Sequence, residues 1–444
     1  MRPKKPSRLF KPLALSGGAI VLVVAASLGF HQLSQAQSTA TVQILSESEI
    51  DDIYRHLSLF GDVFQRVRGE YVEEVDDQSL IEAAINGMLT SLDPHSGFLA
   101  SEDFDDMQER TRGEFGGLGI EITMEDGFVK VVSPIDGTPA AKGGILSGDF
   151  IVGIDGKSII GLSLTEAVEM MRGEVDTDIT VTLRRGGREA FDVTLTRAII
   201  KIESVRHESY GDVGYIRITT FSEQSTPGLI RAMGDLLEAH GDDLVGIILD
   251  LRNNPGGLLK EAISVADAFL DTGEIVSTRG RNSDQDARHF SSSGDIAGGL
   301  PMVVLINSGS ASASEIVAGA LKDNERALVM GTRSFGKGSV QSVIPMRDDN
   351  AIRLTTALYY TPSGVSIQAT GIEPDIMVEL AVLEDLDEGA VREENLRGSL
   401  NNGNGEGDAE EETAEDAVVR DYQLARAIDL LNGIDVFRRL EGFQ

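Results

Sequence analysis

The chain has 444 residues, with 39 basic against 72 acidic side chains and no cysteine. That length holds more than one domain and a sizeable core. A net charge of −33 repels nucleic acid and anionic lipid, and the missing thiols exclude disulfides, thiolate zinc sites and a cysteine nucleophile.

In chain order, residues 1–36 read first as a targeting segment. MRPKKPSRLFK carries Arg2, Lys4, Lys5, Arg8 and Lys11, PLALSGGAIVLVVAASLGF is apolar, and HQLSQAQS places small residues at Ser34 and Ala36. This is a basic-then-apolar leader with an A-x-A-like site. The apolar run is close to the length that separates a signal peptide from an anchor. The reading is export with cleavage after Ala36, with a retained N-terminal anchor as the alternative. Either way the body is expected in the periplasm or cell envelope, and any membrane contact is through this segment alone. Nucleotides are scarce there.

Residues 45–111 read as a helical region. Ile50, Ile53, Leu57, Phe60, Phe64 and Val67 recur at steps of three and four, one face of a helix. QSLIEAAINGMLTSLDPHSGFL predicts a second helix ended at Asp93-Pro94. The expectation is a helical hairpin packing on the body or on a second copy.

Residues 112–198 change character. GGLGIEIT, GFVKVVSP, GDFIVGIDG and DITVTLRR are short β-rich runs split by glycine turns, and SLTEAVEMMRG between them is a short helix. A compact module of this size is an ordinary domain. From 199 to 380 strands and helices alternate: VGYIRI, VGIILDL, LKEAISVADAFLD, MVVLINS, SEIVAGALKD, ALVMG. That order predicts a layered α/β domain. Residues 384–417, with NNGNGEGDAEEETAED, have no apolar period and predict a disordered acidic linker. Residues 418–444 regain a helical stripe at Leu424, Ile428 and Leu431.

GTRSFGKGSV at 331–340 resembles a phosphate-binding loop, but position 338 is Gly where magnesium coordination needs Ser or Thr. The β-branched SVQSVIPM that follows does not form the helix whose N-terminus would hold phosphate. A nucleotide hydrolase therefore rests on a failed match, and Lys337 needs another role.

Upstream, PMVVLINSGSASASEIVAGALKD puts a buried strand, a run of small residues and a helix in succession. A serine at such a junction lies by the positive helix end, where backbone N–H groups can hold an oxyanion. Ser310, Ser312 and Ser314 are all candidates, and all are equally suited to capping the helix. A serine nucleophile needs a base. His56 and His240 lie in polar, helix-like contexts and His289 in the polar loop RNSDQDARHF, and none is in a glycine-rich turn near the alternating strands. A serine–lysine pair is the alternative, with Lys337 available once burial lowers its pKa. VGIILDLRNNPGGLL runs a strand into a Pro-Gly-Gly turn whose N–H groups can complete an oxyanion hole; its plain reading is a strand-to-helix turn.

SGSASASEIVAGALKD followed by GTRSFGKGSVQ, together with DLRNNPGG, INGMLTSLDPHSGF and the module opening GGLGIEI, strongly resembles the C-terminal processing peptidases, or tail-specific proteases. The resemblance covers about residues 45–380. It implies that Ser312 is the nucleophile, Lys337 the general base and Gln341 the residue orienting the lysine. A turn is needed for that last contact, because four extended residues span roughly 13 Å. The implied oxyanion hole is the Ala313 N–H with that of Gly256 or Gly257. The resemblance also makes residues 112–198 a PDZ domain, with Gly117, Leu118, Gly119 and Ile120 binding a chain-end carboxylate and the 164–171 helix as the other wall.

The expected fold is therefore multidomain α/β, a layered serine–lysine protease core with an inserted β-rich PDZ domain and N-terminal helices. The expected function is an exported endopeptidase that recognises apolar C-terminal tails of proteins and needs no metal or cofactor. An adaptor protein, and a homo-oligomer through the N- or C-terminal helices, are compatible partners. The rival is a non-catalytic PDZ scaffold on a protease fold. Arg172, ending the groove helix, is a candidate regulatory lever to the protease domain; its plain reading is a cation at a helix C-terminus.

Overall fold

The computed structural model describes residues 47–381 and 421–441, apart from 126, 136, 187 and 283–285. The targeting segment and the acidic linker lie outside the described residues. The described residues up to Ile81 form one unit and those from Glu82 a second. In the first, the three-four periodicity gives helix Glu47–Glu70, with Ile53, Leu57 and Phe60 on its exposed surface. Helix Asp77–Thr90 follows.

The α/β core is built on a six-stranded sheet. Its strands in spatial order are Val205–Tyr210, Val213–Ile218, Gly246–Asp250, Met302–Ile306, Leu328–Gly331 and Ile376–Met377. The first pair is antiparallel and the rest are parallel. The central strands are continuously apolar because both faces are covered. Ile247 and Leu249 face helices Ser225–His240, Leu259–Asp267 and Ala313–Asp323. Ile248, one residue out of phase, faces helix Tyr422–Glu441, which buries Leu424, Ala427 and Leu431 on the opposite side. The C-terminal stripe read from the sequence thus has its partner: the protein's own sheet. A second, antiparallel sheet contains Gly97–Leu99, Ala351–Tyr360, Glu274–Gly280 and Ala287–Phe290, with Ser339–Pro345 paired to Ala351–Tyr360.

The β-rich module has a core of its own, including Leu118, Val131, Ile151, Ala167, Val181 and Leu183. The chain enters it through Glu114–Gly117 and leaves through Ala198–Lys201, and these two strands pair as an antiparallel ribbon. Strand Ile120–Glu125 is an edge of the module's sheet, so one side of its backbone is open to the groove beside helix Leu164–Met171. Ser163 and Glu166 start that helix with a reciprocal capping box.

Candidate active site

The structure separates the three serines. Ser310 is fully buried; its Oγ donates to the Leu251 carbonyl (2.8 Å) and accepts from the Asn307 N–H (3.0 Å). Ser314 is equally buried, and its Oγ donates to the Asn254 carbonyl (2.9 Å). Both hold the NNPGG turn against the helix start. Ser312 lies between them and lines a cleft of about 1000 Å³ together with Lys337 and Gln341. It precedes helix Ala313–Asp323 with φ 54° and ψ −110°, a backbone conformation that costs a non-glycine residue energy and persists where surrounding contacts impose it.

The imposing group is Glu315. Its carboxylate is fully buried. Oε2 accepts from the Ser312 N–H (2.7 Å) and the Lys337 N–H (2.9 Å), while Oε1 accepts from Ser334 Oγ and the Gly336 N–H (both 2.6 Å). One oxygen therefore brings the backbone nitrogens of Ser312 and Lys337 within two hydrogen-bond lengths of each other. Burial pushes the Glu315 pKa above the usual glutamate value, and the four donors pull the other way. The sequence carried a signal for this residue: Ser312 and Glu315 stand in the S-x-x-E spacing of a capping box.

Lys337 is half-buried, and burial lowers its pKa. The Arg353 guanidinium lowers it further, while Glu315 opposes both. Arg353 also lines the cleft and donates from Nε to the His95 carbonyl (2.8 Å). His95 stands close enough to be affected in turn: burial, then the charge of Lys337, depresses its pKa. His289 is on strand Ala287–Phe290 rather than in a loop, and lines the same cleft. Among the described residues no side-chain hydrogen bond joins either histidine, or Lys337, to Ser312. Sequence reasoning passed over Arg353 and His95 because they act through neighbours distant in the chain, and over Glu315 although its contact to Ser312 is local, because Ser334, Gly336 and Lys337 are not.

Lys337 is followed by strand Ser339–Pro345, not by a helix, so its loop lacks the N-terminus a phosphate site needs. Gln341 sits on that strand, where a register shift between Val340 and Gln341 re-aims the side chain. Its Nε2 donates to Ser339 Oγ (2.8 Å) and lies 3.5 Å from Thr355 Oγ1. The amide is thus held by its own sheet rather than by the lysine, although both line one cleft.

The NNPGG turn abuts the serine. A Cβ on Gly256 would lie 2.9 Å from the Ser312 Cβ and 3.0 Å from the Ala313 nitrogen, so only glycine permits this approach. The Gly256 N–H is already donated to Asn254 Oδ1 (2.9 Å). Gly257 lines the cleft, and its N–H and that of Ala313 have no protein acceptor among the described residues. Of the two glycine N–H groups, that of Gly257 is therefore the one left without a protein acceptor among the described residues.

In the β-rich module, Gly117, Leu118, Gly119 and Ile120 come together with Val168, Met171 and Arg172 around one groove. Gly119, at φ 73°, turns the chain into the edge strand. Arg172 leaves the groove wall for helix Ser101–Arg112. Its Nη1 lies 3.1 Å from Glu109 Oε2 and 3.6 Å from Asp106, and its guanidinium stacks on Phe115. The same helix lends Phe104 and Met107 to the cleft.

Comparison with known proteins identifies the family. The chain is 56% identical over 339 residues to the carboxy-terminal-processing protease of Bartonella bacilliformis, covering 76% of this chain and 78% of the relative. The chain belongs to the S41 peptidases. The model of peptidase family S41 matches residues 212–378, that of the PDZ domain residues 130–185, and that of the activating protease CtpB N-terminal domain residues 18–103. A Staphylococcus aureus protein named "Probable CtpA-like serine protease" is 37% identical over 333 residues, which are 74% of this chain and 66% of the relative. Among solved structures, the photosystem II D1 C-terminal processing protease matches at 31% identity and TM-score 0.43, covering 72% of this chain and 92% of that one. The protease is thus a serine peptidase of mixed α/β architecture carrying a PDZ domain.

Proposed function

We propose that the chain is an exported endopeptidase that cleaves proteins near their C-terminal ends through a Ser312–Lys337 dyad. The observation that carries this reading is the Glu315 oxygen shared by the Ser312 and Lys337 N–H groups, which sets both side chains in one cleft. Neutral Lys337 takes the proton from Ser312 Oγ as that oxygen attacks the peptide carbonyl. The oxyanion so formed accepts from the Ala313 and Gly257 N–H groups. Lys337 then gives its proton to the departing amine, leaving an acyl-serine. Water hydrolyses that ester by the same route, with the lysine again taking and returning the proton.

The lowered pKa of Lys337 supports the base assignment, since a lysine that stays charged cannot accept a proton. The apolar groove walls at Ile120, Val168 and Met171 suit an apolar terminal side chain, beside an edge strand that an extended tail can join. The basic-then-apolar leader supports export. The exposed apolar face of helix Glu47–Glu70 suits a second copy.

Peptide turnover by purified variants tests the dyad. Ser312→Ala and Lys337→Ala are each expected to be inactive, and the double variant no worse, because paired groups act as a unit. Lys337→Arg is expected to be inactive as well, since arginine stays protonated. Turnover by Ser312→Ala would remove the nucleophile assignment, and activity in Lys337→Arg would remove the base.

A further inference from the structure

The C-terminal helix does more than cover a sheet face. Just before that helix, Asp421 meets Arg252, two residues beyond strand Gly246–Asp250 in the segment that becomes the NNPGG turn. Arg252 is only 6% exposed and is gripped from two sides. On one side Nε and Nη2 donate to Asp250 Oδ1 (2.9 Å) and Oδ2 (2.7 Å). On the other, Nη1 donates to Asp421 Oδ1 (2.9 Å) and Nη2 lies 2.7 Å from Asp421 Oδ2. Gln423 Oε1 accepts from Nη1 as well (3.0 Å), while its Nε2 donates to the Val378 carbonyl (2.7 Å).

The charges show why the second carboxylate matters. Asp250 is fully buried and is shared by two cations, since Arg217 Nη1 also lies 3.6 Å from its Oδ2. Tyr215 donates to that oxygen too (2.7 Å). Without Asp421, two guanidinium groups would face one carboxylate, with Arg252 and Asp250 themselves buried. A buried cation that loses its partner is strongly disfavoured and moves toward any acceptor it can find. The Arg252 backbone N–H donates to the same Asp250 Oδ1 (2.9 Å) that accepts from its Nε, so a displaced guanidinium disturbs the backbone at the root of the oxyanion turn. Leu251 and Asn254 on either side are bonded to Ser310 and Ser314, which flank Ser312.

We propose that Asp421 is a positioning residue for catalysis: it clamps Arg252 and so holds the Gly257 N–H and the Ser312 elbow in register. The inference rests on the Ser312 and Gly257 reading above. It gives the C-terminal segment a task in the active site, although the acidic stretch separates it from the core in sequence.

The test compares full-length variants by thermal unfolding and by kcat and KM on one peptide. Asp421→Asn is expected to lower kcat roughly 10- to 100-fold with KM within about twofold, the pattern of a lost transition-state contact. Asp421→Glu keeps the anion and is expected to recover part of that loss. Leu431→Ala loosens the same helix without touching the clamp; it is expected to lower Tm yet leave kcat within about twofold. Should Asp421→Asn fail to fold, Gln423→Met removes one acceptor from Arg252, and a kcat loss of about threefold is expected in its place. Full kcat in Asp421→Asn, or in Gln423→Met where that variant replaces it, would overturn the inference. So would an equal kcat loss in Leu431→Ala, which would reduce the clamp to an anchor. Ser312→Ala, run beside them, separates the two levels: if it is inactive while Asp421→Asn is not, only the clamp is lost, and if it turns over, the site reading fails first.

Discussion

Replacing Glu315 with glutamine removes one charge and turns one oxygen into an NH2 group, with almost no change in volume. The carboxylate accepts four hydrogen bonds, two at each oxygen. An amide can serve only one pair and turns donors toward the other. Hydrogen bonds to a charged acceptor are worth about 1.5–3 kcal/mol each, so the loss of two is about 3–6 kcal/mol. The Ser334 hydroxyl can rotate to accept from the new NH2, so the cheaper orientation points the amide nitrogen at Ser334 and Gly336. That choice keeps the Ser312 and Lys337 N–H groups bonded and puts the cost near the lower limit, about 3 kcal/mol. A loss of that size lowers Tm on the order of 10 °C in a domain of this class. Activity carries a second, independent signature. Glu315 raises the Lys337 pKa, so neutralising it lets that pKa fall further. Lys337 must be neutral to act as base, so the rising limb of kcat/KM against pH moves to lower pH. Calorimetry and a pH–rate profile read the two effects separately. An unchanged Tm with an unmoved limb would refute the role assigned to Glu315.

Arg353→Met is expected to move the same limb the opposite way. Removing that positive charge raises the Lys337 pKa, which slows cleavage at neutral pH while alkaline rates approach those of the parent. Arg172→Ala breaks the contacts to Glu109 and Asp106 on the helix that also lines the cleft. Peptides with a free C-terminus are expected to stimulate the parent more than amidated ones, and Arg172→Ala is expected to lose that difference. Equal stimulation by both peptide forms in the parent, or an undiminished difference in the variant, counts against the groove or the lever respectively. Such partly exposed ion pairs contribute little to stability, so the Arg172→Ala Tm is expected to stay near that of the parent.

Much of the architecture was legible because its signals are local. Apolar residues at steps of three and four give helix Glu47–Glu70, and short apolar runs between turns give the strands of the core. The types of group able to do the chemistry were legible too: serines at a strand-to-helix junction, a lysine in a glycine-rich turn, and a Pro-Gly-Gly turn after a buried strand. Selection among equivalents was not. Ser310, Ser312 and Ser314 look alike in their local pattern, and the family resemblance alone pointed to Ser312; in the structure the outer two are bonded to Leu251 and Asn254, while the middle one lines the cleft. Gly256 and Gly257 look alike until Asn254 takes one N–H. The final helix showed an apolar stripe compatible with a second copy, and Asp421 was one acid among many. Its contact with Arg252 spans 169 positions. Sheet order and parallel crossovers set such contacts by bringing distant segments to one place, so their chemistry depends on packing that no local window of the sequence contains.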